Sequence, residues 1–345
     1  MSMEQASRTP VRASVIVPTY DRAGRIGSCI DALRRQQCPW PFEIIIVNDG
    51  STDDTVSVLR KFPEVRVITQ ANSGPAAARN RGVREAAGEI VLFTDDDCEP
   101  FADWMKEMLG AFDDPEVVGA KGIYRTRQRE LIARFVQIEY EDRYRLMARH
   151  PTIDFIDTYS AAFRRDRFIE IGGYDPAFPI ACCEDSELSY RMAARGWKMV
   201  FVPTAVVWHH HPDNLRTYLR RKARFAYWRV PAIRPAPGKM VKDSHHPQVM
   251  KLQLLLGPAL AAGVIADALG IGPIHPMALL AVVVFLLSTL PFAARAFAKD
   301  RMVGILSPAI VAARSIAQLA GLTGGAIHVL KGFSSQLEGS LAARR

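Results

Sequence analysis

Short apolar runs rich in β-branched residues recur along the first 200 residues of this chain and alternate with amphipathic stretches. Four of these runs are 14–17, 43–47, 65–68 and 89–93. Apolar runs of this length, separated by helical stretches, are typical of βαβ units with a buried and mostly parallel sheet. The sequence therefore predicts an α/β fold. Ligands of such sheets bind at the carboxyl ends of the strands, so polar residues that directly follow these runs are candidate site residues.

The composition changes abruptly after Pro247. Two segments, at about 252–271 and 276–294, are almost entirely apolar and are joined by a turn containing Gly and Pro. Each has about the 20 residues that a helix needs to cross a hydrocarbon core, so they predict a transmembrane hairpin. A buried helical pair in a soluble domain is the alternative. A third apolar segment, 302–330, contains Arg314 and several glycines, and it fits an interfacial helix as well as a further span.

The segment between these two parts, 213–247, is dense in Lys and Arg with aromatic residues interleaved, within a chain of formal net charge +8. Basic and aromatic residues beside a membrane segment suit anionic lipid headgroups. Nucleic acid binding is the alternative, and the adjacent hairpin favours the lipid interpretation, so no nucleic acid partner is expected. The basic flanks of the hairpin place the N-terminal domain on the cytoplasmic side of the inner (cytoplasmic) membrane.

Several common classes of enzyme and scaffold are disfavoured. The five cysteines have no paired spacing, which argues against a disulfide framework or a zinc ribbon. A P-loop, a GxGxxG motif after the first run and a nucleophile elbow are all lacking in the sequence. Nucleoside triphosphatases, dinucleotide oxidoreductases and serine hydrolases are therefore disfavoured.

Carboxylates cluster where the second and fourth apolar runs end. Asp49 follows the second run, and Asp95, Asp96 and Asp97 follow the fourth. Three consecutive acids after a buried strand repel one another, and a hard divalent cation such as Mg²⁺ or Mn²⁺ relieves that repulsion. The alternatives are a solvated acidic turn or helix N-cap for the three acids and an Asx-type turn for Asp49.

Two further sites contain groups that can act as a base or as ligands. Glu184 and Asp185 open a helical stretch, where a carboxylate fits either a general base or an ordinary capping acid. His209 and His211 follow an apolar run at alternate positions. Alternate residues of an extended segment point to one side, so the two histidines could share a ligand or metal, and a structural role is the alternative.

Taken together, these positions resemble the family 2 glycosyltransferases of the GT-A fold, and the resemblance covers about 11–211. Five motifs occur in the family's order. They are VIVPTYD at 15–21, similar to the first strand and nucleotide loop; IIVNDGSTDDT at 45–55, similar to the DDGSTD signature; NSGPAAARNRG at 72–82, similar to the G-x-x-x-ARN-x-G helix start; TDDD at 94–97, where the family has its DxD metal motif; and GGYD at 172–175 with EDSEL at 184–188, similar to the stretch that carries the catalytic base.

The resemblance implies an inverting, metal-dependent transfer from a nucleotide-diphosphate sugar, with a UDP-sugar favoured as donor. The implied base is Asp185, beside Glu184. The implied donor-nucleotide contacts are Pro18, Thr19, Tyr20, Asp49, Gly74, Arg79, Asp95 and Asp96. The implied ligands of Mg²⁺ or Mn²⁺ are Asp95 and Asp97, with His209 and His211 as further candidates. The QxxRW motif of the processive enzymes has no clean match, so a single sugar transfer is expected.

The expected organisation is a GT-A glycosyltransferase domain at 11–212, made of a nucleotide-binding half (11–115) and an acceptor half (116–212). The basic segment at 213–247 and membrane helices at 248–332 follow. Family members with a C-terminal membrane hairpin commonly act on lipid-linked or membrane-presented acceptors, which implies such an acceptor in cell-envelope glycan synthesis. A non-catalytic, membrane-anchored module that binds nucleotide sugars is the alternative function, and the retained acids argue against it.

Overall fold

The computed structural model describes residues 11–178, 181–233, 243–256 and 275–342, together with the single positions 238, 266, 269 and 270. Of 275–278 and 331–342, only the backbone is described. The chain divides into two compact units, whose boundaries fall at Arg127/Gln128, Leu146/Met147 and His210/His211. The first unit contains the N-terminal segment and the segment that ends at His210. The second contains the short segment 128–146 and the C-terminal part.

The first unit is built on a mixed sheet, which has eight strands within the described residues. The strands are β1 (Ala13–Thr19), β2 (Phe42–Asn48), β3 (Arg66–Thr69), β4 (Ile90–Phe93), β5 (Cys98–Pro100), β6 (Val117–Arg125), β7 (Ala161–Arg164) and β8 (Lys198–His209). Their order across the sheet is β3-β2-β1-β4-β7-β6-β8-β5. Every residue of the adjacent strands β1 and β4 is buried, which explains why their sequences are apolar almost without interruption.

The predicted α/β fold is confirmed, with one difference in the sheet. The strands β3, β2, β1 and β4 are parallel, as the βαβ pattern predicts. Beyond β4 the sheet is mixed, because β7 is antiparallel to both of its neighbours and β5 is antiparallel to β8, whereas β6 and β8 are parallel. The apolar runs carry no information on the direction in which the later strands pair.

The helices are numbered along the whole chain. They are α1 (Ile26–Arg34), α2 (Thr55–Leu59), α3 (Pro75–Glu85), α4 (Trp104–Gly110), α5 (Leu131–Met147), α6 (Arg165–Glu170), α7 (Glu184–Ala194), α8 (Leu215–Ala232), α9 (248–256), α10 (His275–Lys299) and α11 (Arg301–Ala342). The helix α3 starts with Pro75, directly after Gly74, whose φ of 86° is readily available to glycine. A Cβ at Gly82 would overlap the side chain of Ile16 on β1, so this glycine lets α3 pack closely on the sheet.

The core of the first unit contains a group of aromatic rings that fixes the chain before α7. Phe93 of β4 lies with its ring centroid 5.6–6.0 Å from those of Phe163, Phe168 and Tyr174. Asn80 of α3 receives a hydrogen bond from the backbone N–H of Tyr174 and donates one to its carbonyl oxygen. Helix α3 and the segment that leads to α7 are thereby held in one position.

The second unit is helical within the described residues. Its core contains Phe135 of α5, Tyr218 of α8, Phe285 of α10 and Val303 and Ile310 of α11. Helix α11 packs along α8, where Gly321 and Gly325 allow close approach to the α8 backbone. The apolar face of α5 thus packs in the second unit, so this helix belongs there although the predicted acceptor half (116–212) contained it.

Within the described residues, two helices are long and apolar enough to cross a membrane, over Leu279–Lys299 and Arg301–Leu330. The first is mostly exposed, whereas two fifths of the apolar window in the second are buried within the protein. The predicted segments 276–294 and 302–330 lie within α10 and α11. The predicted span 252–271 begins in α9, and most of it, 257–265 with 267–268 and 271, lies outside the described residues.

Candidate active site

Asp49, the first of the predicted acids, follows β2 and points to the start of α3. Its Oδ1 accepts hydrogen bonds from Gln70 Nε2 (2.8 Å) and the Ser73 N–H (2.9 Å), and its Oδ2 accepts one from the Gly74 N–H (2.9 Å). The residue is buried. A carboxylate oxygen accepts two hydrogen bonds, so Asp49 is held in one orientation and keeps capacity for a further donor.

The end of β1 lies beside Asp49. Pro18 and Thr19 are buried, and the carbonyl oxygen of Thr19 accepts a hydrogen bond of 2.9 Å from the Asp49 N–H. Tyr20 is exposed, and Asp21 after it has a φ of 52° and accepts a hydrogen bond of 2.7 Å from the Thr52 N–H. These hydrogen bonds join the loop after β1 to the loop after β2, so the two loops form one edge of the candidate site.

The three consecutive acids after β4 point to different partners. Each carboxylate has its own arginine within 4 Å: Arg79 for Asp95, Arg22 for Asp96 and Arg25 for Asp97. Asp96 is buried, and this burial raises its pKa to about 7. Asp95 and Asp97 keep part of their surface exposed, so these two present charged oxygens at the site.

Arg79 joins this acidic turn to α7. The side chain is only 2% exposed, and its Nη2 lies 2.7 Å from Asp95 Oδ1 and 3.1 Å from Thr158 Oγ1. Its Nη1 donates to Glu184 Oε1 at 2.9 Å. One buried guanidinium thus brings together two of the acid groups that the sequence singled out separately.

Glu184 and Asp185 open α7, and their surroundings differ. Cys183 at the N-cap has a φ of 67°, and Glu184 Oε2 accepts a hydrogen bond from the Cys182 N–H at 2.7 Å. Asp185 accepts a hydrogen bond from the Ser186 N–H and, within the described part of the chain, has no cation within 4 Å. Burial, with the added repulsion of Glu184 and Asp157, raises the pKa of Asp185 well above its usual range.

His209 lies beside Asp97 because β5 pairs with β8, which sets Cys98 opposite His209. The Nε2 of His209 is 3.7 Å from Asp97 Oδ1, and potential ligand atoms of Asp97, Cys98 and His209 all lie within 4.8 Å of one another. Burial raises the pKa of the Cys98 thiol well above its usual value. Hard cations such as Mg²⁺ and Mn²⁺ prefer oxygen and imidazole ligands to sulfur, so Asp97 and His209 are the better donors. A carboxylate with an imidazole is a donor set that fits Mn²⁺ or Mg²⁺.

His211, the second predicted histidine, belongs to the second unit. Its Nε2 lies 3.1 Å from Gln137 Oε1, and its ring stacks on Tyr140 with centroids 5.7 Å apart. Of the two histidines, His209 is thus the one with a described contact to a predicted metal ligand. A shared ligand for both histidines stays a prediction.

The sequence reasoning missed several residues of this site. Thr158 contacts Arg79, and Asp157, which forms a buried ion pair with Lys121, adds to the raised pKa of Asp185. These residues carry no motif, and only the packing of their segment against β6 brings them to the site. Arg22 directly follows the first motif and Arg25 comes three residues later, and their positive charges were the available signal.

The comparisons with known proteins agree with this architecture. Residues 14–172 match the family model of glycosyl transferase family 2. Pre-mycofactocin glycosyltransferase of Mycobacterium tuberculosis is 26% identical over 238 residues, which cover 66% of this chain and 48% of that protein. Poly-beta-1,6-N-acetyl-D-glucosamine synthase of Staphylococcus aureus is 29% identical over 194 residues, which cover 53% of this chain and 46% of that protein.

Among solved structures, a mannosyltransferase from Pyrobaculum calidifontis, in complex with GDP-Man and Mn²⁺, is similar with a TM-score of 0.57 and 24% identity over 92% of this chain and 87% of that one. The chain spans about half the length of the curated relatives it matches. Residues 14–172, a little under half of the chain, are similar to glycosyltransferase family 2, and the structure has the GT-A fold. The family match ends before α7, so it does not extend to Glu184 and Asp185, and their role in the site stays a prediction.

Proposed function

We propose that this protein transfers one sugar, with inversion, from a nucleotide-diphosphate sugar to a hydroxyl group of a membrane-associated acceptor. The observation that carries the proposal is the position of Arg79, buried between Asp95 and Glu184. If the acids after β4 formed only a solvated turn, the Asp95 carboxylate would contact water and not a buried arginine. Here Asp95 after β4 and Glu184 of α7 share one buried guanidinium, so the acidic turn and the start of α7 are parts of one site.

The donor nucleotide is bound at the ends of β1 and β2. Three donors fix the orientation of the Asp49 carboxylate, which keeps capacity for one more hydrogen bond. In this proposal the base of the nucleotide donates that bond. Tyr20, exposed beside it, provides a ring on which the base packs. We favour a UDP-sugar as donor. The Pyrobaculum calidifontis relative is bound to GDP-Man, so a guanine nucleotide is the competing donor.

Asp97 and His209 would hold the divalent cation, and Asp95 is the further predicted ligand. When bound, Mg²⁺ or Mn²⁺ supplies neutralisation of the charge that develops on the departing diphosphate. Arg79 holds Asp95 and Glu184 in place, and Arg22 and Arg25 add positive charge at the same edge.

Asp185 accepts the proton of the attacking hydroxyl group. Its raised pKa makes it a stronger base than an ordinary aspartate, and it has no cation of its own to neutralise it within the described part of the chain. A single carboxylate that acts as base, with no second one as nucleophile, implies inversion at the anomeric carbon. Glu184, already engaged by Arg79, serves to position the start of α7.

The acceptor is a lipid-linked or other membrane-presented glycan. Support comes from α10 and α11, which are long and apolar enough to cross a membrane, and from the exposed arginines of α8, the helix on which α11 packs. In this proposal the catalytic unit faces the cytoplasm. Anionic lipids contact the basic helix α8.

The function is tested by thermal denaturation of the full chain with a panel of nucleotide diphosphates and their sugars, with and without Mn²⁺. A ligand that binds only the folded state stabilises it by RT ln(1 + [L]/Kd), so Tm rises with the ligand concentration relative to Kd. We expect one nucleotide diphosphate, and one sugar derivative of it, to raise Tm more than the others. The protein should then turn over that nucleotide sugar as its donor. A panel without any stabilising nucleotide would contradict the proposal.

Replacing Asp97 by alanine is expected to remove the part of nucleotide binding that depends on the cation. The nucleotide-induced rise in Tm measured with Mn²⁺ should fall to the value measured without it, because the variant lacks the carboxylate nearest to His209. Asp103→Ala, at an exposed position in the same segment, should keep the full effect of Mn²⁺. An unchanged Mn²⁺ effect in Asp97→Ala would place the cation elsewhere.

The pH dependence of transfer should report Asp185. A general base acts only when deprotonated, so kcat/KM falls as the pH decreases through the pKa of this residue in the free enzyme. Because burial, Glu184 and Asp157 raise that pKa, the acidic limb should lie well above the value of about 3.9 for an ordinary aspartate. The measurement is a pH–rate profile, and a limb near pH 4 would exclude this assignment.

A further inference from the structure

Gln70 lies beside Asp49 because the two residues follow neighbouring parallel strands. The register of β2 and β3 pairs Asn48 with Thr69, the last residue of each strand. Gln70 and Asp49 therefore leave the sheet side by side, and the Gln70 N–H donates to the Asn48 carbonyl oxygen at 3.0 Å. The Gln70 side chain donates from Nε2 to Asp49 Oδ1 at 2.8 Å. This side chain is not among the predicted nucleotide contacts.

The backbone of Gln70 is held close to the loop after β2. Gly50 in that loop has a φ of 79°, which is readily available to glycine. A Cβ at Gly50 would lie only 2.8 Å from the Asn72 nitrogen and 3.3 Å from the Gln70 carbonyl oxygen. The absence of a side chain at Gly50 thus allows the two loops to pack closely, which keeps Gln70 in position next to Asp49.

The carboxylate of Asp49 has one acceptor position left. Its two oxygens together offer about four positions for hydrogen-bond donors. Gln70 Nε2 and the Ser73 N–H occupy both positions of Oδ1, and the Gly74 N–H occupies one position of Oδ2. Within the described residues, no other donor and no cation contacts this carboxylate. Without the Gln70 amide, each of the two oxygens would have one open position.

Nucleobases differ in the number of donors that they present to a carboxylate. Uracil presents one, N3–H. Guanine presents two side by side, N1–H and N2–H, which pair with the two oxygens of a carboxylate. Hypoxanthine has the ring system of guanine without the 2-amino group, so it presents N1–H alone. A carboxylate with one open position satisfies uracil or hypoxanthine but leaves one donor of guanine unpaired, and a buried unpaired donor weakens binding.

The edge of a base that reaches Asp49 is largely removed from water. Asp49 is only 4% exposed, whereas the ring of Tyr20 is exposed and available to the face of a base. Asp21 contributes most to the raised pKa of Tyr20, and Asp49 adds to it, because both negative charges lie near the Tyr20 hydroxyl group. A base packed on Tyr20 therefore has its donors close to Asp49, where an unpaired donor cannot turn to solvent.

We infer that Gln70 sets the base specificity of the donor site by occupying one acceptor position of Asp49, so that uracil is bound and guanine is rejected. The inference rests on the proposed binding of the donor nucleotide at Asp49. It adds a specificity-determining residue to that site. Gln70 contacts the base-binding carboxylate and none of the acids proposed for the cation or the proton, so its effect is confined to the choice of nucleotide.

The test measures the Kd of the full chain in a neutral detergent for UDP, GDP and inosine diphosphate (IDP), by isothermal titration calorimetry with Mn²⁺. The three ligands share the ribose and the diphosphate, and GDP differs from IDP by the 2-amino group alone. The unmodified chain should bind UDP and IDP more tightly than GDP. The ratio of the Kd for GDP to the Kd for IDP should be roughly ten or more, the effect of one unpaired donor.

Replacing Gln70 by methionine removes the donor and nearly keeps the length of the side chain. The freed position of Asp49 Oδ1 can then accept the second donor of guanine, so the GDP/IDP ratio should fall close to one. Asp49 keeps the N–H donors of Ser73 and Gly74, which preserve its orientation. A merely structural role for Gln70 would weaken the binding of both purine nucleotides equally and leave the ratio unchanged.

Two further variants serve as controls. Gln37→Met removes an exposed amide of the first unit whose side chain has no hydrogen bond among the described residues, so all three affinities should stay as in the unmodified chain. Gln70→Lys supplies another donor to Asp49. Its added charge attracts every nucleotide diphosphate alike, so the GDP/IDP ratio should stay high. A ratio near one in Gln70→Lys would overturn the role of the donor.

The outcomes separate this inference from the proposed function. Binding of UDP together with an unchanged GDP/IDP ratio in Gln70→Met would overturn the inference and leave the function standing. Equally weak binding of GDP and IDP by the unmodified chain would show that purine size decides, and preference for GDP would show that the site selects guanine; both overturn the inference. A chain that binds none of the three nucleotides would contradict the proposed function, and the inference would fail with it.

Discussion

Replacement of Asp185 by asparagine is expected to lower kcat for sugar transfer by roughly 10²–10⁴-fold, the usual contribution of a general base. Asparagine has nearly the same shape and still accepts the hydrogen bond from the Ser186 N–H, but it cannot take up the proton of the acceptor. Binding of the donor nucleotide should be unchanged, because the proposed nucleotide contacts lie at the ends of β1, β2 and β4 and at the start of α3.

The same variant should not lower the stability of the protein. The pKa of Asp185 is raised in the folded state, so at neutral pH its charge opposes folding, and a neutral side chain removes that repulsion with Glu184. We therefore expect an equal or higher Tm together with the loss of turnover. A purely structural role for Asp185 would produce the opposite change in Tm.

The measurements are steady-state transfer rates, nucleotide-induced shifts of Tm and the Tm of the free protein. Asp166→Asn is the matched control, because Asp166 is an exposed acid in the first turn of α6. It should leave the rate and the Tm within experimental error. Equal turnover in Asp185→Asn and Asp166→Asn would remove Asp185 from the mechanism.

Replacement of Arg79 by methionine is expected to destabilise the first unit by about 3–5 kcal/mol, the usual cost of removing one partner from a buried ion pair. The variant leaves Asp95 and the buried Glu184 without their shared cation. For a domain of 150–250 residues, 1 kcal/mol corresponds to roughly 2–4 °C in Tm, so a decrease of many degrees is expected.

The control for this variant lies two residues further along α3. Arg81 pairs with Glu85 at 2.9 Å on the surface, and Arg81→Met should cost only about 0.3–0.5 kcal/mol, as exposed pairs of this spacing do. Below its own Tm, Arg79→Met should also lose binding of the donor nucleotide. Comparable Tm values for the two methionine variants would show that Arg79 does not hold the acids together.

Much of the first half of the sheet could be predicted from the sequence. The apolar runs that ended at Val47 and Phe93 became the buried strands β2 and β4, and the acids that follow them lie at the carboxyl ends of those strands. These strands could be predicted because a strand that is buried on both faces is apolar along its length, and that pattern is visible in its own residues. No such local pattern indicates that β5 pairs with β8, which is the contact that brings His209 to Asp97.

In the C-terminal part, the amino-acid pattern predicted three apolar segments, and the helices α10 and α11 contain two of them, 276–294 and 302–330. The pattern did not predict that Arg314 pairs with Glu139, which lies 175 positions earlier. Arg314 alone fitted an interfacial helix equally well. The partner of a buried charge depends on which helix packs beside it, and periodicity within one helix does not encode that choice.

The sequence by itself determined the local properties of this protein: which segments are strands or helices, which strand ends carry acids, and where the composition becomes apolar. Tertiary structure alone decided how these parts combine into a site. Arg79 and Glu184 are 105 positions apart and share a hydrogen bond of 2.9 Å. The physical reason is that burial and periodicity are encoded residue by residue. Contacts between distant segments follow from the packing that gives the whole chain its lowest free energy.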